Sequence, residues 1–370
     1  MTRRPDLHRP EPPRSESRPG APTLATVAAE AGVSRQTVSN ALNSPELLRP
    51  ETLERVQEAI ERLGYSPNRA ARNLRTRASH LIGLKVAPAV EDSANALMDR
   101  FLHSLVESTR DAGYHVLLFT GSAEQPAPDG AASKDVEDGV QPDPLDGYDE
   151  LLRSAAVDAF LVTDTYLGNP QAAWLEERGV PFVAFGRPWG DPRARHPWVD
   201  VDGRAGVMLA VDHLVERGHQ RIAWVGWQKG SYIGEDRRSG WTDRMHDHGL
   251  STTRLSARGD DTLDFGRRAA HALLDSEYPT AFVCASDTLA MGVLRALDER
   301  HLRPGRELSV VGFDDSLAAQ VCTPGLTSVR QPLEQVAVEI VTLLGDLLAH
   351  RPIQDLGRTL TPTLSLRSTT

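Results

Sequence analysis

The chain has 370 residues, 40% of them hydrophobic, which is ample for two or three domains with buried cores, and no run approaches the ~18 consecutive apolar residues of a membrane span. The formal charge of −10 is unevenly divided: residues 1–78 carry 13 Arg against 9 Asp and Glu, a surplus of +4, which leaves −14 on residues 79–370. A basic leading segment suits a polyanion, an acidic body discourages indiscriminate adhesion to one, and the two distant cysteines, Cys284 and Cys322, read as buried free thiols that fit a reducing cytoplasm.

Residues 1–22 are rich in Pro, Arg and Ser with no apolar core, so they predict a disordered tail and not a secretion signal. Such a tail either adds non-specific DNA affinity or is inert. Residues 23–42, TLATVAAEAGVSRQTVSNAL, predict two short helices meeting at a tight turn. Thr23 N-caps the first, with Leu24, Val27, Ala28 and Ala31 on one apolar face, and Gly32 ends it. Val33 fills the corner, Ser34 caps the second helix, and Val38 and Leu42 turn inward. Arg35, Gln36, Ser39 and Asn40 are left facing out at the start of that helix, with side chains of the types that read base edges or hold phosphate. A plain helical hairpin with a polar face is the competing reading. A third helix from Pro50, with Leu53, Val56, Ile60 and Leu63 in a stripe, covers the pair and stops at Gly64.

The following segment carries Arg69, Arg72, Arg75 and Arg77 with no acid among them, which predicts a stretch that orders beside a polyanion. Leu74 among these arginines is either ordinary packing or a minor-groove wedge. From Leu81 the pattern changes to short apolar runs alternating with amphipathic helices, the mark of α/β architecture. The strands are LIGLKV (81–86), YHVLLFT (114–120), DAFLVT (158–163), PFVAFG (181–186), RIAWVGW (221–227), TAFVCAS (280–286) and LSVVGFD (308–314); helices are expected near 93–112, 203–217 and 287–300. Residues 121–147, rich in Pro, Gly and acids, predict a mobile surface insertion.

These residues resemble the LacI/GalR family of bacterial transcription regulators. The resemblance rests on TLATVAAEAGVSRQTVSNALN, RPETLERVQEAIERLGYSPNRAARNLR and SHLIGL, and runs on through VDVDGRAGVMLAVDHLVERGHQRIAWVGW, ASDTLAMGVLRALDERHLRPGRELSVVGFDD and PGLTSVRQPLEQVAVEIV. It implies a helix-turn-helix head over 23–66, a hinge helix or linker over 67–78, and a two-lobed, periplasmic-binding-protein-like (Rossmann-like) effector core over 79–370 whose lobes exchange near 186–190, 314–318 and 330–334. It implies that Arg35, Gln36 and Asn40 read operator bases, that Ser39, Asn43 and Tyr65 touch backbone, and that Asn68 and Leu74 belong to the hinge; Thr23, Thr37 and Arg69 complete the DNA-facing set. A number of relatives have arginine where this chain has Asn40; arginine favours guanine and asparagine adenine, so its half-site is expected to differ there.

In the core the resemblance implies that Arg237 grips ligand hydroxyls, that Asp314 accepts from them, and that Ser286, Gln331 and Leu333 line the cleft. Thr163, Asp164 and Trp189 are added from their place at strand ends. A guanidinium, a carboxylate, an amide and an aromatic face suit a sugar. The residues leave alternatives open: Arg237 pairing with Asp236 or Glu235, Asp314 capping the next helix, and Trp189 as core. Together these features predict a dimeric, cytoplasmic, nucleoid-associated repressor of carbohydrate genes that binds pseudo-palindromic operator DNA and a sugar. A nucleoside or sugar phosphate is the alternative effector. No cofactor, metal or catalytic set is expected, since no nucleophile elbow, P-loop, zinc motif or GxGxxG follows a strand. A carbohydrate-active enzyme using His213, His219, His246 or His248, which are expected to be solvated, and a stand-alone sugar-binding protein are the distant alternatives.

Overall fold

The computed structural model describes residues 22–65, 78–86, 96–120, 145–163, 170–191 and 193–370. By contacts the chain divides into two units, 1–78 and 79–370.

The first unit contains helices α1 (Leu24–Ala31), α2 (Arg35–Asn43) and α3 (Pro50–Leu63), with a short 3-10 turn at Pro45–Leu47. Local chemistry sets each boundary. The Thr26 amide donates to the Thr23 hydroxyl while the Thr23 amide donates to the Thr26 hydroxyl, a reciprocal box that satisfies two helix-end donors. Gly32 and Gly64 end α1 and α3 at φ of 63° and 60°, a backbone state that side chains resist. The Ser34 hydroxyl accepts from the Thr37 amide at 3.1 Å. Val27, Ala28, Ala31, Val38, Val56 and Ala59 form the buried centre, with Val33, Leu42, Ile60, Leu63 and Tyr65 packed around it. Leu24 departs from the expected apolar face: it is 37% exposed, because the first turn of α1 overhangs a core that begins only at Val27.

The second unit is built on two six-stranded sheets. The first contains β1 (Leu81–Lys85), β2 (His115–Phe119), β3 (Ala159–Val162), β4 (Phe182–Phe185), β5 (Trp198–Val201) and β11 (Gly357–Leu360), ordered β11-β5-β4-β3-β1-β2 and parallel throughout. The second contains β6 (Ile222–Trp227), β7 (Ser256–Gly259), β8 (Ala281–Cys284), β9 (Ser309–Phe313), β10 (Thr327–Arg330) and β12 (Thr363–Ser365), ordered β12-β10-β9-β8-β6-β7, with β12 alone antiparallel. Burial on both faces explains why β3, β8 and β9 are almost wholly apolar. Helices α4 (Ala96–Asp111), α5 (Tyr148–Arg153) and α6 (Pro170–Glu177) connect strands of the first lobe. The second lobe carries α7 (Gly203–Glu216), α8 (Tyr232–Asp247), α9 (Leu263–Ser276), α10 (Asp287–Glu299) and α11 (Leu317–Val321); α12 (Leu333–Leu348) returns to the core of the first.

The strand order locates the three passages between lobes: at Asp202, between β5 and α7; at Gln331 and Pro332, between β10 and α12; and at Thr361 and Pro362, between β11 and β12. The exchanges expected near 186–190 and 314–318 are therefore misplaced. Residues 186–190 join β4 to β5 within the first sheet, and 314–318 join β9 to β10 within the second. Which sheet a segment returns to depends on its packing partner, and a short polar connection does not encode that. Two of the four histidines depart from expectation: His213, bonded to Thr370, and His219, bonded to Ser309 and Thr280, are half-buried, and burial pushes both below the usual imidazole range, whereas His246 and His248 are exposed, the latter paired with Asp212. Cys284 is buried and its thiol strongly raised by that burial, whereas Cys322 is only half-buried. Among the described residues no helix is long and apolar enough to cross a membrane, and no three His, Cys, Asp or Glu side chains are grouped to hold a metal.

Candidate functional site

Two sites can be built from the residues upward, one in each unit. In the first, α2 presents Arg35, Gln36, Ser39, Asn40 and Asn43, spaced so that they share one face of the helix, while Val38 on the other face is fully buried. Arg35, Gln36 and Asn43 are exposed, and Thr37, Ser39 and Asn40 half-buried. The polar groups occupy one another: Gln36 Nε2 donates to Asn40 Oδ1 at 2.9 Å and Asn43 Nδ2 to the Ser39 carbonyl at 2.6 Å. Thr23 and Thr37 are bound into the two helix caps, and Tyr65 lies half-buried against the small core. Asn68, Arg69 and Leu74 lie outside the described residues.

The second site lies where the carboxyl ends of strands from both lobes converge. From α8, Arg237 is 5% exposed, with its guanidinium carbon 3.6 Å from the Phe313 ring centroid and 5.0 Å from that of Trp227. Its Nη1 donates to the Ala285 carbonyl at 2.6 Å and stands 3.8 Å from Asp314 Oδ1, the oxygen that also accepts from Gln331 Nε2 at 2.7 Å. Burial raises the Asp314 carboxyl to about 7, Arg237 opposing the rise and Asp287 adding to it. Asp314 and its neighbour Asp315 hold φ of 110° and 50°, left-handed values that non-glycine residues adopt at a cost. The alternatives for Arg237 and Asp314 are not seen: Asp236 accepts from the Arg204 amide and faces Arg187, Glu235 pairs with Arg258, and Ser316, not Asp314, caps α11.

The first lobe contributes Arg187 and Trp189, from the loop after β4. Arg187 is bonded to Asp200 and lies 3.9 Å from Asp236 of the other lobe, with its guanidinium 4.6 Å from the centroid of Trp189. Trp189 in turn meets Tyr232 of the second lobe, ring centroids 6.1 Å apart, so it is not sealed in a core. Burial raises the carboxyls of Asp200 and Asp236 against the pull of Arg187.

Two expected members play other parts. Ser286 caps α10 and donates to Asp261, so its hydroxyl is already engaged. Leu333 is fully enclosed in the core of the first lobe and packs there instead of lining the cleft, because α12 begins at that residue and turns its apolar face inward. Thr163 is half-buried just past β3, and Asp164 lies outside the described residues. Sequence reasoning missed Arg187, Trp227, Tyr232 and Phe313. Trp227 and Phe313 end β6 and β9, and the rule that ligands meet carboxyl ends of parallel strands would have found them.

Four buried side-chain nitrogens here have no hydrogen-bond partner among the described residues: Arg187 Nη2, Trp189 Nε1, Trp227 Nε1 and Arg237 Nε. All are donors, two from each lobe, and an unpaired buried donor costs about 1–3 kcal/mol. The arrangement therefore supplies N–H groups, aromatic faces and the Asp314 carboxyl to whatever it encloses. A separate groove of about 440 Å³ on the first lobe is lined by Glu176, Phe182, His196, Leu347 and His350, but there Glu176 and His196 satisfy each other at 2.8 Å.

Comparison with known proteins places both sites in context. Residues 23–68 match the family described as bacterial regulatory proteins, lacI family, and residues 211–370 match the periplasmic binding protein-like domain. The HTH-type transcriptional regulator CelR of Thermobifida fusca is 34% identical over 88% of this chain and 91% of its own. A solved transcriptional regulator CelR–cellobiose complex superposes with a TM-score of 0.66 at 29% identity, over 94% of this chain and 100% of that one. The lac repressor dimer bound to operator and the anti-inducer ONPF shares the fold, with a TM-score of 0.74 at 24% identity over 95% and 99% of the two chains.

Proposed function

This chain belongs to the LacI family of bacterial transcription regulators, and from that premise we propose that it represses carbohydrate uptake or breakdown genes, its affinity for operator DNA being changed by a neutral sugar held between the two lobes of 79–370. The observation that carries this reading is the set of four buried donors without a partner among the described residues, beside Trp189, Trp227, Tyr232 and Phe313. Sugar hydroxyl oxygens accept from such donors, and sugar ring faces stack on such rings. The charges favour a neutral ligand over a sugar phosphate. Arg187 and Arg237 are offset by Asp200, Asp236 and Asp314, leaving no surplus of positive charge for a phosphate. The relative described in complex with cellobiose supports the same class.

On this reading, Arg35, Gln36 and Asn40 enter the major groove, while Ser39, Asn43 and Tyr65 hold backbone. Residues 67–78 form the hinge, with Asn68, Arg69 and Leu74 at the minor groove. Two copies pair on a pseudo-palindromic operator; the lac repressor, of the same fold, is described as a dimer bound to operator. The protein acts in the cytoplasm at the nucleoid, and the cleft binds without catalysing. The test is fluorescence anisotropy of the full chain on labelled DNA from beside its own gene, with cellobiose, other disaccharides, glucose 6-phosphate and adenosine added in turn. Tight, salt-sensitive binding shifted by a neutral sugar supports the proposal. A shift with the phosphate or nucleoside alone replaces its effector class, and no specific binding at any salt overturns it.

A further inference from the structure

One side chain ties the ligand-facing turn of the second lobe to the first. Arg100, near the start of α4, donates through Nη1 to the carbonyl oxygens of both Asp314 and Asp315, each at 3.2 Å, and its Nη2 reaches Glu334 Oε1 at 3.4 Å. Those carbonyls belong to the two residues whose left-handed φ values mark the turn as strained. Such a turn persists only when its surroundings over-determine it. Here the Asp314 amide donates to the Val329 carbonyl at 2.8 Å, the Asp315 amide to Ser328 Oγ at 3.0 Å and the Ser316 amide to Asp287 Oδ2 at 2.7 Å, while Arg367 grips the Asp315 carboxylate. Among the described residues these partners all lie in the second lobe, and Arg100 is the contact from the first. Glu334, in the first turn of α12, closes a chain through Arg330 at 3.3 Å to Asp315 at 3.7 Å. The Arg100 side chain keeps 23% of its surface exposed, so water can take over its bonds when the turn moves.

We propose that Arg100 is a coupling residue, a latch through which the state of the 314–315 turn is passed to the first lobe; in its link to a ligand the proposal rests on the reading of Asp314 as ligand-facing. A ligand that engages the Asp314 carboxyl moves a turn whose carbonyls are bonded to α4, and α4 packs on β2 and α12 in the lobe nearest the chain's basic segment in sequence. Coupling of this kind requires an element with two arrangements that both sites bias, and a strained turn held by an exchangeable guanidinium is such an element.

The test has two readouts on the full chain, with Arg100→Ala and Arg100→Lys. Hydrogen–deuterium exchange without ligand reports the amides of 314–316. Operator affinity with and without cellobiose reports coupling, and tryptophan fluorescence gives the cellobiose affinity. In Arg100→Ala, amide exchange at 314–316 should rise about tenfold, and the ratio of operator affinities should collapse toward one while cellobiose affinity stays within about threefold of wild type. Arg100→Lys, which can reach one carbonyl, should fall between. Faster exchange in a protein whose wild type answers no sugar supports the latch and removes the sugar-effector reading. Unchanged exchange overturns the latch whatever the sugars do. A cellobiose affinity lost as far as in Arg237→Ala also overturns it, since Arg100 would then belong to the binding site.

Discussion

On the proposed reading, the polar face of α2 and the inter-lobe cleft solve the same problem, holding polar groups ready for a partner, in opposite ways. On α2 the groups are at the surface and occupy each other, Gln36 with Asn40 and Asn43 with Ser39, so the face costs little when idle. In the cleft they are buried, and Arg187, Trp189, Trp227 and Arg237 each keep one donor without a partner among the described residues. A surface reader separates recognition from stability. A buried reader joins them, because the donors that await a ligand burden the free protein.

The largest expected effect lies in the cleft. Arg237→Met should weaken sugar binding about a hundredfold, roughly the loss of a buried charged donor, and leave operator affinity without sugar intact. Fluorescence titration together with operator anisotropy checks both, and a variant that still answers sugar would remove Arg237 from the site. Next, Gln36→Ala or Asn40→Ala should each lose about 1–3 kcal/mol of operator binding while thermal stability changes by less than ~0.5 kcal/mol. A melt that falls with operator affinity would erase the distinction between the two regions. Third, pH should separate them. The Asp314 carboxyl is raised to about 7 in the folded chain from an ordinary 3.8, so the folded state holds its proton more tightly than the unfolded chain does. Its contribution to stability is full below the unfolded value and is lost as pH rises through about 7. Asp314→Asn should flatten that decline, a difference of about 2–4 °C in melting midpoint per kcal/mol, read from melts between acid and mildly alkaline pH. The smallest effect is local: Ser34→Ala removes the cap of α2 and should cost about 1 kcal/mol in a urea melt, with operator affinity falling alongside. No change in either would show that the cap is dispensable.

Legibility in the sequence followed the range of the forces involved. In the head, Thr23, Gly32, Ser34, Pro50 and Gly64 act on backbone within a few residues, so the helix ends were readable. Seven strands of the core were readable as apolar runs, but β5, β7, β10, β11 and β12 were not. Three of these are sheet edges, and β5 and β10 lead into passages between lobes, so their composition is mixed. Arg237 and Asp314 were placed in the site by the resemblance to the family. Arg187, Tyr232 and Arg100 carried no such signal, since each acquires its partners from a distant segment.

By itself, the sequence determined the helical head, the division of charge between head and core and the α/β alternation, because capping, periodicity and formal charge are local properties of neighbouring residues. Only the tertiary structure decided where the chain changes lobes, that Ser286 spends its hydroxyl on Asp261 while Leu333 sinks into a core, and that Arg187, Trp189, Trp227 and Arg237 keep buried donors unpaired among the described residues. The physical reason is that burial and hydrogen-bond satisfaction depend on what packs opposite a residue, and in this fold the opposing segment lies on another strand or in the other lobe.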